Sequence, residues 1–336
     1  MYAVRDNSVR VSWGRGVPVR ENWVKLRLQK DFRSMTLSWY GHLRDNFLHP
    51  VPEFTQHYVT CTSPSGLHRM AYTEWGNRHN PNVIICVHGY TRTGRDFDYL
   101  ARALANRYRV VCPDIVGRGK SDWLQDKMGY GVPQFVADMV TLIARLDVES
   151  VEWVGTSLGG MVGMVLASQE KSPITKLVLN DVGPRVAGEA IRSMREYVGR
   201  SPVFDTLADA DAYARPLCKS LGPHTEEQWR FLLEHVVHQR EEDGRWEFVY
   251  DPGVADAFRL ALLFPSIDLW SVYDQITCPT LAIRGAESTF LRRDDWRMMA
   301  ARGPKARLVE IPGVGHTPTL ISNFQIGIVK NFLVEA

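Results

Sequence analysis

The sequence predicts an α/β chain: a mostly parallel, doubly wound sheet with an inserted helical lid. Three observations carry this expectation. Continuous apolar runs recur along the chain and alternate with stretches whose apolar residues return at helical spacing, the pattern of a parallel sheet covered on both faces. That alternation breaks between about residue 185 and residue 265 and then resumes. Before the break, Val151 to Gly160 reads as an apolar strand that runs straight into a G-x-S-x-G turn and an Ala/Met/Val-rich helix.

Residues 1–34 carry eight Lys/Arg against three Asp/Glu and little periodic apolar pattern. They read as a basic N-terminal extension outside the fold, with Met35 opening the domain. Two alternating runs, Phe54 to Cys61 and Leu67 to Trp75, flank a Ser-Pro-Ser-Gly stretch and predict an antiparallel hairpin. Val83 to Val87 is a strand buried on both faces, ending in His88-Gly89-Tyr90. A helix pattern around Phe97 to Asn106 precedes a second buried strand, Arg109 to Pro113, which opens into the loop Asp114 to Asp122. Val132 to Leu146 repeats Phe135, Val136, Met139, Val140, Leu142, Ile143 and Leu146 at helical spacing. After the helix that follows the G-x-S-x-G turn, Ile174 to Asp181 is another buried strand.

Residues 185–265 hold no continuous apolar strand run and read as the helical lid. Within it, Thr225-Glu-Glu-Gln228 has the form of a capping box opening a helix at Trp229. The lid aromatics, Phe204, Trp229, Phe231, Trp246, Phe248, Tyr250 and Phe258, suit a pocket wall, although aromatics at helical spacing are more often plain core. Strand and helix alternation resumes with Thr280 to Gly285, Asp294 to Ala301, Ala306 to Ile311, the turn Pro312 to His316, and a closing amphipathic helix near Ile321 to Leu333. The expected organisation is therefore a core of residues 35–184 and 266–336 with the lid between them.

With 336 residues, 45% of them hydrophobic, the chain can bury a large core. A net charge of +2 gives no argument for a nucleic-acid partner. No segment approaches the roughly 18 apolar residues of a membrane span, and no apolar N-terminal run suits a signal peptide. The five cysteines are odd in number and lack C-x-x-C spacing, which suits reduced thiols and a cytoplasmic address. The expected partner is a small-molecule substrate, with neither nucleic acid nor a membrane, and the sequence leaves the oligomeric state open.

The spacing around Ser157 has a steric reason. A serine on a sharp strand-to-helix turn takes a strained backbone conformation, tolerated only beside residues without side chains. Gly155 and Gly159 supply that room. The hydroxyl then stands clear at a helix N-terminus, where the amide of Leu158 points at any anion that forms.

Taken together, the H-G-Y turn, D-x-x-G-x-G-x-S, G-T-S-L-G-G, L-N-D-V-G-P and G-V-G-H, in this order, resemble the α/β-hydrolase superfamily from about residue 53 to the C-terminus. The resemblance implies Ser157 as nucleophile, His316 as base and an acid between them in sequence, with the amides of Tyr90 and Leu158 forming an oxyanion hole. It implies a structural role for His88. A serine at position 157 sets the chain apart from the related haloalkane dehalogenases and epoxide hydrolases, whose nucleophile is aspartate. No metal-ligand spacing and no dinucleotide fingerprint appears, so neither metal nor cofactor is expected. Hydrolysis of a carboxylic ester of a small or medium-sized substrate through an acyl-serine is the expected chemistry. C–C bond hydrolysis, thioester hydrolysis, or ligand binding on an inactive scaffold stand as alternatives.

The acid is where the chain departs from its relatives. Their pattern R-G-x-x-S-D-x-L reads here Arg284-Gly-Ala-Glu-Ser-Thr289-Phe-Leu, and threonine carries no charge. Glu287, Asp294, Asp295 and Asp181 are the candidate replacements. Asp181 is favoured, because some hydrolase-fold dehalogenases place their acid at the end of the strand after the elbow helix. Its alternative role is to brace the N-D-V-G-P turn.

Overall fold

The computed structural model describes residues 11–12 and 54–335. A nine-stranded sheet forms its centre, in the order β1-β13-β12-β7-β6-β4-β5-β3-β2. The ranges are β1 Val11–Ser12, β2 Thr55–Ser63, β3 Gly66–Trp75, β4 Val83–Val87, β5 Arg109–Pro113, β6 Val151–Thr156, β7 Ile174–Asn180, β12 Thr280–Gly285 and β13 Arg307–Ile311. Strands β5, β4, β6, β7, β12 and β13 run parallel, while the β2–β3 hairpin and β1 are antiparallel to their neighbours. Of the basic arm, expected outside the fold, Val11 and Ser12 meet the sheet edge opposite Val309 and Leu308. The rest of that arm and the expected start at Met35 lie outside the described residues.

Period-2 geometry explains why the strands read as unbroken apolar runs. In β4 the side chains of Val83, Ile85 and Val87 enter one core, and those of Ile84 and Cys86 enter the other. Burying each such aliphatic side chain contributes about 1.5–3 kcal/mol. Helices α2 (Val132–Leu146) and α3 (Leu158–Ala167) cover the first face, and α1 (Asp98–Leu104) and α10 (Asn323–Val334) cover the second. Of the apolar stripe of α2 read from the sequence, Phe135, Met139, Leu142, Ile143 and Leu146 are buried, Val136 is half-buried and Val140 is exposed; the helix ends at Asp147, which adopts a left-handed conformation at φ 56°. Helix α3 is buried on almost all sides, with no polar face to place in water.

The segment between residues 185 and 268 is an insertion with a closed neck. Strand β8 (Arg185–Ala187) pairs antiparallel with β11 (Ser266–Asp268). Inside it lie α4 (Gly188–Ser193), α5 (Leu207–Leu217), α6 (Glu226–Glu234) and α7 (Val254–Ala261), together with the hairpin of β9 (Val237–Gln239) and β10 (Trp246–Phe248). The lid is therefore mixed rather than wholly helical. Its strands are three residues each, too short to leave a periodic signal in the sequence. The expected capping box is present: Gln228 N donates to Thr225 Oγ1 (3.2 Å) and Thr225 N to Gln228 Oε1 (3.0 Å). A second box, Thr206 with Asp209, opens α5.

Candidate active site

Strand β6 delivers Ser157 into the turn before α3 with φ 50° and ψ −112°, a conformation an L-residue adopts only under constraint. The constraint is tight packing of the elbow. A Cβ on Gly159 would lie 2.0 Å from the carbonyl oxygen of Val87, and one on Gly155 would lie 2.4 Å from that of Gly159. Glycine at both positions is thus required by the backbone, and Ser157 N donates to Asn180 O (3.0 Å) on the neighbouring strand.

The loop after β13 carries His316 back over the ends of the strands. Its Nε2 lies 3.0 Å from Ser157 Oγ and its Nδ1 lies 2.6 Å from Asp181 Oδ2. Because a carboxylate only accepts, Nδ1 carries the proton toward Asp181, which leaves Nε2 free to accept from the serine hydroxyl. Phe290 stacks on the imidazole at 4.2 Å. Asp181 is fully buried at the end of β7, with φ 53°. Its second oxygen accepts from Gly285 N (2.9 Å), and Ser288 Oγ donates to the same oxygen that meets His316 (2.7 Å). Three donors on two oxygens offset the cost of burying this charge.

The other candidate acids are elsewhere. Asp295, on α9 (Arg293–Met299), faces Arg185 at 3.7 Å. Asp294 is paired with Arg297 on the same helix. Glu287 and Thr289 line the cavity, while His316 Nδ1 is taken by Asp181. Ser288 and Phe290 were not anticipated from the sequence. Their only signal is their place beside Thr289, in the segment where relatives carry the acid.

Tyr90 lines the same cavity as Ser157, and Leu158 follows Ser157 directly in the chain. Leu158 is the first residue of α3, so its N–H has no partner within the helix. Tyr90 is held from behind: the buried Arg118 donates through Nε to Tyr90 O (2.8 Å) and lies 4.9 Å from its ring centre. In front, Tyr90 Oη donates to Val254 O of the lid (3.0 Å). His88 is fully buried; Ile115 N donates to its Nε2 (2.9 Å), so Nδ1 carries the proton toward Gly89 O (2.7 Å). Burial, with Arg118 and Arg92 adding repulsion, pushes its pKa down to about 4. The imidazole is a neutral brace with no contact to Ser157. Asp114 caps the next loop by accepting from Gly94 N and Lys120 N, while burial raises its pKa to about 6.

A cavity of about 530 Å³ opens over Ser157 and His316 between core and lid. Of the lid aromatics, Trp229, Phe248 and Tyr250 line it, whereas Phe204 sits in a small lid core with Leu233 and Val237. Three cavity-lining arginines differ in their pairing. Arg92 is bound to Asp96 and Arg215 to Asp211 and Glu226, while Arg200 forms no ion pair among the described residues. Away from the cavity, Cys61, His68 and Asp138 form a buried group of potential metal donors, held together by a 3.1 Å contact between His68 Nε2 and Asp138 Oδ2. All five cysteines are free thiols, and no helix among the described residues is long and apolar enough to cross a membrane.

Comparison with known proteins adds to this geometry. Residues 82–320 match a family model described as the alpha/beta hydrolase fold. A 3-hydroxybutyrate-oligomer hydrolase of Cupriavidus necator is 48% identical over 285 residues, covering 83% of this chain and 97% of that protein. The esterase YbfF of Escherichia coli is 27% identical over 246 residues, covering 71% of this chain and 88% of its own. The crystal structure of an alpha/beta hydrolase from Novosphingobium aromaticivorans superposes with a TM-score of 0.76 at 33% identity, covering 84% of this chain and 99% of that one.

Proposed function

The chain belongs to the α/β-hydrolase family, and from that premise we propose that it cleaves carboxylic esters within short 3-hydroxyacid oligomers through an acyl-serine on Ser157. The observation that carries this reading is the continuous path from Ser157 Oγ through both nitrogens of His316 to Asp181. In the proposed first step Ser157 Oγ attacks the ester carbonyl carbon while His316 Nε2 takes its proton. The carbonyl oxygen becomes an oxyanion against the amides of Tyr90 and Leu158, donors worth about 3 kcal/mol each to such a state. The C–O bond to the leaving hydroxyacid then breaks, and His316 returns the proton to that hydroxyl. Water then attacks the acyl carbon as His316 takes its proton; the bond to Ser157 Oγ breaks, the acid leaves, and His316 returns the proton to Ser157 Oγ. Asp181 keeps its charge throughout and stabilises the imidazolium.

The substrate class rests on the similarity to the oligomer hydrolase, over nearly all of that protein's length. The cavity supports it: about 530 Å³ has room for a small or medium-sized ester rather than a polymer chain, and Tyr197, Tyr213 and Arg200 offer polar groups along it.

The test is hydrolysis of 3-hydroxybutyrate dimer and trimer, set beside p-nitrophenyl esters of increasing acyl length and an acyl thioester. The oligomers are expected to be cleaved with the highest kcat/KM. Ser157→Ala is expected to lower turnover by roughly 10⁶. Ester turnover that survives this substitution, or a preference for the thioester, would reject the proposal.

A further inference from the structure

We infer that Ser220, a lid residue, is a positioning residue for His316: it grips the main chain of the loop that carries the imidazole, so that the base is in register only when this part of the lid is seated. The inference rests on the proposed role of His316 as base. Ser220 lies in a single turn of 3₁₀ helix, Lys219–Leu221, that follows α5. Gly315 N donates to Ser220 O (2.7 Å), and Ser220 Oγ donates to His316 O (2.6 Å). The two bonds bracket the peptide that leads into the imidazole-bearing residue.

The approach is close enough to dictate residue types on both sides. A Cβ on Gly315 would lie 3.1 Å from both the Cβ and the carbonyl oxygen of Ser220. A Cβ on Gly222, at φ +88°, would lie 2.9 Å from Val314 Cγ2 and 3.0 Å from Gly313 O. Two residues on, His224 Nε2 meets Thr319 Oγ1 at 2.9 Å while its Nδ1 is held by Gly222 O. Lid residues 220–224 and loop residues 313–319 are thus stitched together along their length.

The core holds the same loop at other points. Glu287 N donates to Val314 O (2.9 Å), and Asn180 Nδ2 donates to Pro318 O (2.8 Å). Between these anchors, the main chain of Gly315 and His316 is hydrogen-bonded to Ser220 at both residues. Asp181 and Phe290 orient the ring, but the position of its Cα is set from the lid. Catalysis is sensitive to this, because a misplacement of about 1 Å in a reacting group can cost roughly 10² in rate.

The experiment compares wild type, Ser220→Ala and Thr206→Ala. Thr206 caps lid helix α5 and does not line the cavity, so its loss weakens the lid without touching the loop. The readouts are kcat and KM on a p-nitrophenyl ester and the rate of labelling at Ser157 by a fluorophosphonate. Ser220→Ala is expected to lower kcat about tenfold with KM within about twofold, and to slow labelling by the same factor. Thr206→Ala should keep kcat within about twofold of wild type.

The inference is overturned if Ser220→Ala keeps the wild-type kcat, if its loss lies in KM alone, or if Thr206→Ala matches it. In each of these cases wild type still labels at Ser157. Wild type that neither labels nor turns over ester would instead overturn the hydrolase reading itself, and this inference with it.

Discussion

At the scale of single residues, the acid is the point where side-chain identity decides most. Asp181 has two oxygens and three donors, Gly285 N, Ser288 Oγ and His316 Nδ1, in a fully buried position. An amide in its place would present an N–H to one of these donors and leave the imidazole free to take the wrong tautomer. Asp181→Asn is therefore expected to lower kcat by about 10⁴ with the fold intact by circular dichroism. Thr289→Asp should produce no gain, since Asp181 already occupies His316 Nδ1. Wild-type-like turnover in the first variant, or a clear increase in the second, would reject Asp181 as the partner of His316 and point to a damaged site at position 289.

At the scale of elements, the elbow and helix α3 depend on the close approach of backbone to backbone. Gly159 N donates to His88 O (3.2 Å), and Trp153 Nε1 donates to Gly159 O (3.0 Å), so the glycine is held between β4 and β6. No rotamer relieves a Cβ that would lie 2.0 Å from Val87 O; only a shift of α3 or of β4 would. Gly159→Ala is expected to cost about 3 kcal/mol or more of stability by urea denaturation and to remove activity with it. An alanine variant as stable as wild type would show that the elbow has slack absent from this packing. Across from the elbow, Arg118 ties the H-G-Y turn to the loop after β5: its Nε donates to Tyr90 O while Nη1 donates to Val116 O (2.8 Å). Burial lowers the tendency of that guanidinium to hold its charge, and the facing rings of Tyr90, Tyr130 and Phe135 offset part of the cost.

At the scale of the whole molecule, His88 links stability to pH. Its pKa in the folded chain is about 4, against an ordinary value of 6.5. Between those values the unfolded chain binds a proton that the folded chain refuses. Stability is therefore at its full value above pH 6.5, falls as pH drops, and stops falling from this source near pH 4. The total is on the order of 3 kcal/mol for a fully buried ring. Urea midpoints measured from pH 7 to pH 4 should fall in wild type and fall less in His88→Asn, a variant expected to be less stable at neutral pH. Equal slopes in the two proteins would reject this assignment.

Much of the fold and part of the site were legible in the sequence, and the division has a physical basis. Strands such as β4 and β6 are buried on both faces, so their composition alone marks them, and α2 declares itself by a stripe that returns every three to four residues. The surroundings of Ser157 are equally local, because the strain of the elbow demands Gly155 and Gly159 within two residues on either side. The three-residue strands of the lid escaped, being shorter than any period that could reveal them. So did Ser288 and Ser220, ordinary serines whose meaning lies in what stands opposite: Asp181 across 107 positions of sequence in one case, and His316 across 96 in the other. The choice among Asp181, Glu287, Asp294 and Asp295 was open for the same reason. A carboxylate meets the imidazole only where the ends of two strands and a returning loop converge. Local sequence therefore determined the long core strands, the elbow and the order of the motifs, whereas the partner of His316 Nδ1 and the grip on its backbone were decided by tertiary structure, since both are contacts between distant segments.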